Sequence, residues 1–366
     1  VTKQVEITFQ DSHTNDELNP QLERSADEEC LATWWQQRTP GTTYWRCLVP
    51  ARHLPGQVLP FQQPDLAMQD DGTPYMPRQR GVAIWQFLGD FTRPRVAFGM
   101  RDLHGTRTLM ELDDNYTRPA PYLKNNPRAP WKETIAEAKA AGTQYSHEMH
   151  RLILPEFDGI IVATENLADT YSKYNDNVYV CPNSIDTDDW QYDREPDDGI
   201  FRIVYYGSYS HLADTSVITK AMKWAARQPG VEVYVAGFDP PDWSFGHKLV
   251  PWTYDLAEAR KELFRFDLGV APLKANPWSN SKSDIKGMEY AMAGVCPLMS
   301  DAVPYRGFRD CDSDLLIKDG GWEEAVRYFV KNPEIAREKA ARAKQWVLDN
   351  RTIDKTIHTW KEAING

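Results

Sequence analysis

The 366-residue chain has few cysteines, no long apolar run and no excess of positive charge, and each shortage removes a class of explanation. Cys30, Cys47, Cys181, Cys296 and Cys311 are scattered singly, with no CxxC pair and no histidine at zinc-ligand spacing. A disulfide scaffold and a structural zinc site are set aside, and the odd, sparse set suits a reducing compartment. No stretch approaches the roughly 18 apolar residues of a membrane span, and the chain opens on a polar segment instead of a charged-then-apolar leader. The expectation is a soluble, cytoplasmic protein. No repeat of solenoid period is visible.

Lys and Arg number 42 against 53 Asp and Glu, a net charge of −11. The imbalance is uneven: residues 1–190 hold 18 basic and 27 acidic side chains, residues 191–366 hold 24 and 26. An acidic front half repels nucleic acid and anionic membrane, so neither is expected as a partner. Aromatic residues are plentiful at 12%, within a globular balance of 41% hydrophobic and 26% charged. At roughly 100–200 residues per domain, the length implies two domains.

Residues 1–80 are rich in Pro, Gln and Asp, and only Val5–Phe9 and Tyr44–Val49 read as strands. From Gly81 short apolar runs alternate with helical stretches. The runs Val82–Phe87, Thr108–Leu112, Gly159–Ala163 and Val178–Cys181 read as strands, with helices across Trp131–Leu152 and Glu165–Tyr174. The acidic stretch Asp186–Gly199 reads as a linker. A second series follows, with strands at Phe201–Tyr206, Val231–Ala236, Leu268–Ala271 and Cys296–Met299 and helices at Ser216–Arg227, Leu256–Phe264 and Asp284–Ala293. Residues 333–348 and 352–364 read as closing amphipathic helices. The expected architecture is α/β: Rossmann-like doubly wound domains at 1–190 and 191–348, facing a cleft, followed by a C-terminal helix at 349–366. Such sheets bind ligands at the carboxyl ends of their strands.

The segment Asn276 to Val295 carries the most chemistry. Ser283 is a good N-cap and Gly294 a good stop for the helix between them. Lys282 and Lys286 flank its first turn, where the helix dipole already places positive charge and acidic residues are favoured. That placement makes sense if an anion such as a diphosphate sits at the helix N-terminus. Glu289, one turn on from Lys286, can accept from two neighbouring sugar hydroxyls, as on a ribose. A solvated face with an ion pair is the plainer reading of the same residues.

Weaker signals surround this segment. Gly207-Ser208 ends the strand Phe201–Tyr206, where a glycine allows close approach of backbone to phosphate, and Ser208 or His211 can add donors. Gly237 ends the next strand, and Trp252 or Tyr254 can stack on a nucleobase or plug a core. In the first half, Asp113 and Asp114 follow the strand Thr108–Leu112. Adjacent carboxylates there serve a divalent metal, an acceptor hydroxyl or base catalysis, unless they simply make a turn. Arg101, His104 and Glu165 are lesser candidates for the same cleft.

The strand into Gly207-Ser208, the strand at Val235-Ala236-Gly237, Asp267-Leu-Gly-Val-Ala-Pro-Leu273 and above all Ser281-Lys-Ser-x-x-Lys-x-x-Glu-Tyr-x-x-Ala-Gly resemble the nucleotide-sugar half of GT-B glycosyltransferases, near the retaining family-4 type. The likeness covers residues 200–305 and is thinner over 81–190, where Glu111-Leu-Asp-Asp-Asn115 and Pro182-Asn-Ser-Ile-Asp186 resemble segments of bacterial and phage relatives. It implies that Glu289 holds the ribose, that Lys286 and Lys282 neutralise the diphosphate leaving group, and that Gly207-Ser208 amides cradle it. Ser281 and Ser283 fall within the same donor-binding motif, and Asp113, Asp114, His211 and Lys286 are the candidates for catalysis. It further implies a metal-independent transfer of sugar from a nucleoside diphosphate to an acceptor hydroxyl, with no cofactor beyond the donor, and a C-terminal helix, residues 349–366, that returns to the first domain. The chain departs from the family pattern at Ser281, where a glutamate is common, and at His211, where an Arg and a Lys commonly follow the glycine turn. Rival readings are a GT-A enzyme with metal at Asp113-Asp114, a nucleotide-sugar epimerase or hydrolase, a DNA-modifying glycosyltransferase, and a silent binding protein.

Overall fold

The computed structural model describes residues 31–36, 40–60, 81–86, 92–117, 151–208, 211–251, 253 and 255–366. The expected strand Val5–Phe9 and residues 131–150 of the expected helix lie outside these. The chain forms two compact units: the described residues up to Ser184 together with Thr356–Gly366, and Ile185–Lys355.

The first unit is built on a six-stranded parallel sheet. Its strands are β1 (Ala32–Gln36), β2 (Gly56–Pro60), β3 (Val82–Gln86), β4 (Thr108–Leu112), β5 (Gly159–Val162) and β6 (Val178–Val180), in the order β2-β1-β3-β4-β5-β6. Short unbroken apolar runs such as Gly159-Ile-Ile-Val are what a parallel strand covered on both faces requires. Alternation along the strands sorts their side chains. Ala83, Trp85, Met110 and Ile160 join a core with Leu154, Leu167 and Tyr171. Ile84, Leu109 and Ile161 face another that contains Trp34 and Trp360. Trp360 comes from the closing helix Ile353–Asn365, and its ring centroid lies 6.1 Å from that of Trp34. Arg107 Nη1 donates to the carbonyls of Ala363 and Ile364, both at 2.8 Å, satisfying acceptors that a helix end leaves open.

The second unit has its own six-stranded parallel sheet: β7 (Phe201–Tyr206), β8 (Val231–Ala236), β9 (Lys248–Val250), β10 (Leu268–Ala271), β11 (Cys296–Ser300) and β12 (Leu316–Ile317). The order β12-β11-β10-β7-β8-β9 reverses direction between β7 and β10. In doubly wound sheets the loops at the carboxyl ends of that pair diverge and leave room for a ligand. The helix Ile285–Met292, between β10 and β11, lies tight on the sheet. A Cβ built at Gly269 would sit 2.5 Å from the Tyr290 ring, and one at Gly287 would sit 2.6 Å from Met299 Sδ. Gly294 ends the helix at φ +70°, the left-handed conformation that favours glycine there.

Three expectations are corrected. Tyr44–Val49 is helical, through Tyr44–Leu48 and Val49–His53, although its aromatic and β-branched residues favour a strand. Burial of Tyr44, Trp45, Arg46, Cys47 and Leu48 in consecutive helical turns outweighs that propensity. Ser283 is not the cap of its helix. Asp284 holds that position without a side-chain cap, because Arg351 binds its carboxylate, donating to Oδ1 at 2.9 Å and more closely to Oδ2. The stretch expected as a linker is partly anchored: Thr187–Trp190 forms a helical turn, Trp190 is buried against Phe264, and Arg260 lies 5.8 Å above its ring.

Candidate functional site

The site assembles at the β7–β10 reversal within the second unit. β7 ends at Tyr206 and passes into Gly207, whose N–H donates to Ala236 O at 3.1 Å and so continues the ladder to β8. The Gly207 N–H is thereby engaged, which takes that one donor out of the expected Gly207-Ser208 amide cradle. The missing side chain of Gly207 leaves room beside Lys286 and Tyr205. A Cβ there would stand 3.2 Å from Lys286 Nζ and 2.9 Å from the Tyr205 hydroxyl. Lys286 reaches this point from the first turn of its helix, with Nζ 5.5 Å from the centroid of the buried Tyr205 ring.

Lys286 Nζ is shielded from water and has no hydrogen-bond partner among the described residues. A buried ammonium in that condition loses its hydration without replacement. Burial accordingly lowers the Lys286 pKa to about 8, with Asp214 and Glu289 opposing the fall and Lys282 adding to it. Glu289 moves the other way, up to about 7, because burial outweighs the attraction of Arg260 and Lys286. His211 falls to about 4, first through burial and then through the Lys286 charge. Its Nδ1 lies 2.8 Å from Asp214 Oδ2. The pattern is a water-poor cationic point with a carboxylate one helical turn away.

The remaining residues expected at a donor site divide by what they touch. Lys282 is half-buried, with Nζ 4.8 Å from the centroid of Trp278. Ser281 is buried and donates to Pro277 O at 3.0 Å, which commits its hydroxyl to the loop. Ser208 O accepts from His211 N at 3.0 Å, just ahead of the helix Leu212–Ala225. Ser283 is half-buried just ahead of the lysine helix. Gly237 follows β8 at φ +108°, a conformation that restricts the position to glycine. Trp252 and Tyr254 lie outside the described residues.

Asp214 and Arg260 are members of this constellation that the motif reading missed. Asp214 is 6% exposed and also accepts from Lys274 N at 2.8 Å. Arg260, 7% exposed, acts electrostatically on Glu289 and Tyr206 and lies 3.9 Å from Asp189. The i,i+3 spacing of His211 and Asp214 is the signal that was available for the first. Arg260 offered none, being one of several charges on an amphipathic helix.

In the first unit, Asp113 and Asp114 are half-buried at the carboxyl end of β4. The Tyr116 hydroxyl donates to Asp113 Oδ1 at 2.6 Å, and the Tyr171 hydroxyl donates to the Asp114 carbonyl at 2.7 Å. Asn115 Oδ1 accepts from Thr117 N and Thr117 Oγ1 at 3.2 and 2.8 Å, an Asx turn of the kind the plainer reading anticipated. Among the described residues no group of three or more His, Cys, Asp and Glu side chains is placed to hold a metal. Arg101 and His104 lie in the last turn of the helix Thr92–His104, which leads into the amino end of β4, whereas Asp113 follows its carboxyl end. Glu165 is exposed at the start of the helix after β5.

Deeper in the same unit lies an ion pair that the motif reading did not single out. Arg46 and Glu111 are 1% and 0% exposed and meet at 2.6 Å. Arg46 Nη1 also donates to Cys181 O at 2.6 Å and Asn183 Oδ1 at 3.1 Å.

No protein-family model matches the chain, and no curated protein matches it. Solved structures do. T4 phage BGT in complex with its UDP-glucose substrate is similar over 92% of this chain and 100% of that one, with a TM-score of 0.56 at 9% identity. A trehalose-6-phosphate protein from E. coli, bound with UDP-2-fluoro glucose, is similar over 85% and 87%, with a TM-score of 0.50 at 11% identity. A GtfA/B complex aligns with 77% of this chain at 13% identity and a TM-score of 0.50, and the chain spans 57% of that protein's length. These are GT-B structures, and the paired parallel sheets described above have the GT-B fold. Among the described residues no helix is long and apolar enough to cross a membrane.

Proposed function

We propose that this protein transfers a glycosyl group from a nucleoside-diphosphate sugar to an acceptor hydroxyl. The observation that carries the reading is the Lys286 ammonium, shielded and unpartnered among the described residues, beside the side-chain-free Gly207 at the β7–β10 reversal. A diphosphate oxygen supplies what that amine lacks. In the reaction the bond from the anomeric carbon to the diphosphate oxygen breaks, a bond from that carbon to the acceptor oxygen forms, and the acceptor's hydroxyl proton passes to the released diphosphate. Charge develops on the departing diphosphate, where a fixed cation lowers the barrier most. Lys286 takes that role, with Lys282 as a second cation and Glu289 accepting from ribose hydroxyls. Asp113 and Asp114 are the first unit's candidates for contacting acceptor hydroxyls.

Because lysines supply the positive charge, the proposed reaction needs no metal, although T4 phage BGT has been solved with UDP and Mn2+. Retention of anomeric configuration rests on the resemblance of the Ser281–Glu289 motif. A cytoplasmic location belongs to the same reading, in keeping with the free thiols of Cys47, Cys181, Cys296 and Cys311. The test is a thermal-shift panel of nucleoside diphosphates and their sugars, with and without EDTA. At a hundredfold excess over Kd a ligand adds about 2.7 kcal/mol to stability. The expected result is a raised Tm with a uridine diphosphate sugar that EDTA leaves intact. A panel in which no nucleotide raises the Tm overturns the proposal, and a shift abolished by EDTA overturns its metal-free part.

A further inference from the structure

We propose that Asp214 is a positioning residue that fixes His211 as a hydrogen-bond acceptor, so that the imidazole receives a hydroxyl of the donor sugar and leaves the diphosphate to Lys286. This inference rests on the donor-binding reading above. It begins with local sequence. His211 precedes the helix Leu212–Ala225 and Asp214 follows three residues later, on the same side of the first turn. Asp214 is held from two directions. Its Oδ1 accepts the Lys274 N–H, from the loop after β10, at 2.8 Å, and its Oδ2 lies 2.8 Å from His211 Nδ1. With both oxygens committed, the carboxylate cannot turn away from the ring.

An ionised carboxylate only accepts hydrogen bonds, so the proton between the two groups belongs to His211 Nδ1. Burial and the Lys286 charge keep the ring neutral, which places its remaining lone pair on Nε2. This alters the role expected from sequence, in which His211 was a donor to phosphate. A phosphoryl oxygen has no proton to give Nε2, and a neutral ring brings no charge to hold it. A hydroxyl is the complementary partner. A nucleoside-diphosphate sugar carries hydroxyls on both sides of its diphosphate, and with those of the ribose assigned to Glu289, those of the sugar remain for His211. The His211 side chain is 16% exposed, which leaves part of the ring open to a ligand.

The test has a spectroscopic arm and a binding arm. Long-range proton–nitrogen correlation spectra of the wild-type protein at neutral pH should show His211, assigned by its loss in His211→Gln, protonated at Nδ1. Asp214→Asn should abolish that preference. An Nε2-protonated ring in the wild type, or a tautomer unchanged in Asp214→Asn, overturns the positioning role. By calorimetry, His211→Ala should weaken UDP-glucose about tenfold while leaving UDP affinity unchanged, the effect of one hydrogen bond made only to the sugar; Asp214→Asn, which also removes a carboxylate that supports the Lys286 charge, is read by the tautomer alone. Lys286→Ala should weaken both ligands. Equal losses for UDP and UDP-glucose in His211→Ala, or no loss for either, overturn the sugar contact. His211→Ala keeps that contact testable should Asp214→Asn fail to fold for want of its bond to Lys274 N. Failure of the wild-type protein to bind UDP would overturn the donor reading instead, and the tautomer spectra would still decide the part played by Asp214.

Discussion

Arg46 illustrates how much a single side chain can be asked to hold. Its guanidinium meets Glu111, the Cys181 carbonyl and Asn183, and lies 5.0 Å from the Trp360 ring centroid. Even so, Arg46 Nη2 and Glu111 Oε2 have no hydrogen-bond partner among the described residues. A buried pair of this kind need not stabilise relative to apolar side chains, but removing one member strands the other charge. Arg46→Met is expected to destabilise the protein by about 3–5 kcal/mol in urea unfolding, and Arg46→Met with Glu111→Leu by less. The single variant should also respond to pH. Burial raises the Glu111 carboxyl from 4.5 to about 7 even with Arg46 present. The native state therefore binds a proton that the unfolded chain has released, and stability falls as pH rises through that window. Without Arg46 the deficit should be smallest at acid pH; a deficit independent of pH would contradict this account. Lys286 gives the opposite kind of test. With its pKa lowered to about 8, the amine is charged below that value, so calorimetric affinity for UDP should decline as pH rises through 8.

At the level of the element, the helix Ile285–Met292 is placed by glycines as much as by its own sequence. Gly269→Ala would drive a methyl into the Tyr290 ring, whose hydroxyl accepts from Tyr206 N at 3.1 Å. Overpacking there is expected to cost about 1–3 kcal/mol and to weaken UDP binding by shifting Lys286. Unchanged melting and affinity would show that the helix tolerates the displacement. This helix was legible in the sequence because its apolar positions, Gly294 and the following strand agree with one another. Strands β7, β8, β10 and β11 were legible for the same reason, as short apolar runs between breakers. Other elements were not. β1 and β2 lie in a Pro- and Gln-rich region without alternation, and β12 is too short to carry a pattern. Tyr44–Val49 showed strand composition, and burial of Tyr44 to Leu48 against residues distant in sequence, the partners of Arg46 among them, decides for a helix. Lys286 and Glu289 were readable as a pattern. The ladder bond that occupies the Gly207 N–H and the Arg351 contact that displaces Ser283 from the cap depend on register and tertiary pairing, which spacing does not encode.

For the whole molecule, the GT-B fold is carried by two parallel sheets and by a closing helix that finishes in the first unit. Trp360, 1% exposed, is the anchor of that helix in the Trp34 core. Trp360→Ala should cost about 3–5 kcal/mol, seen as a lowered thermal midpoint. A change below about 1 kcal/mol would mean that the helix contributes little to the unit. The larger question is whether the second unit exists to receive a diphosphate. Calorimetric titration of UDP into the wild-type protein and Lys286→Ala at pH 7 answers it most directly. The account predicts saturable binding by the wild type and a loss of about 10- to 100-fold in the variant, the worth of a charge-assisted contact. Equal affinity in the two proteins, with both folded, would contradict it.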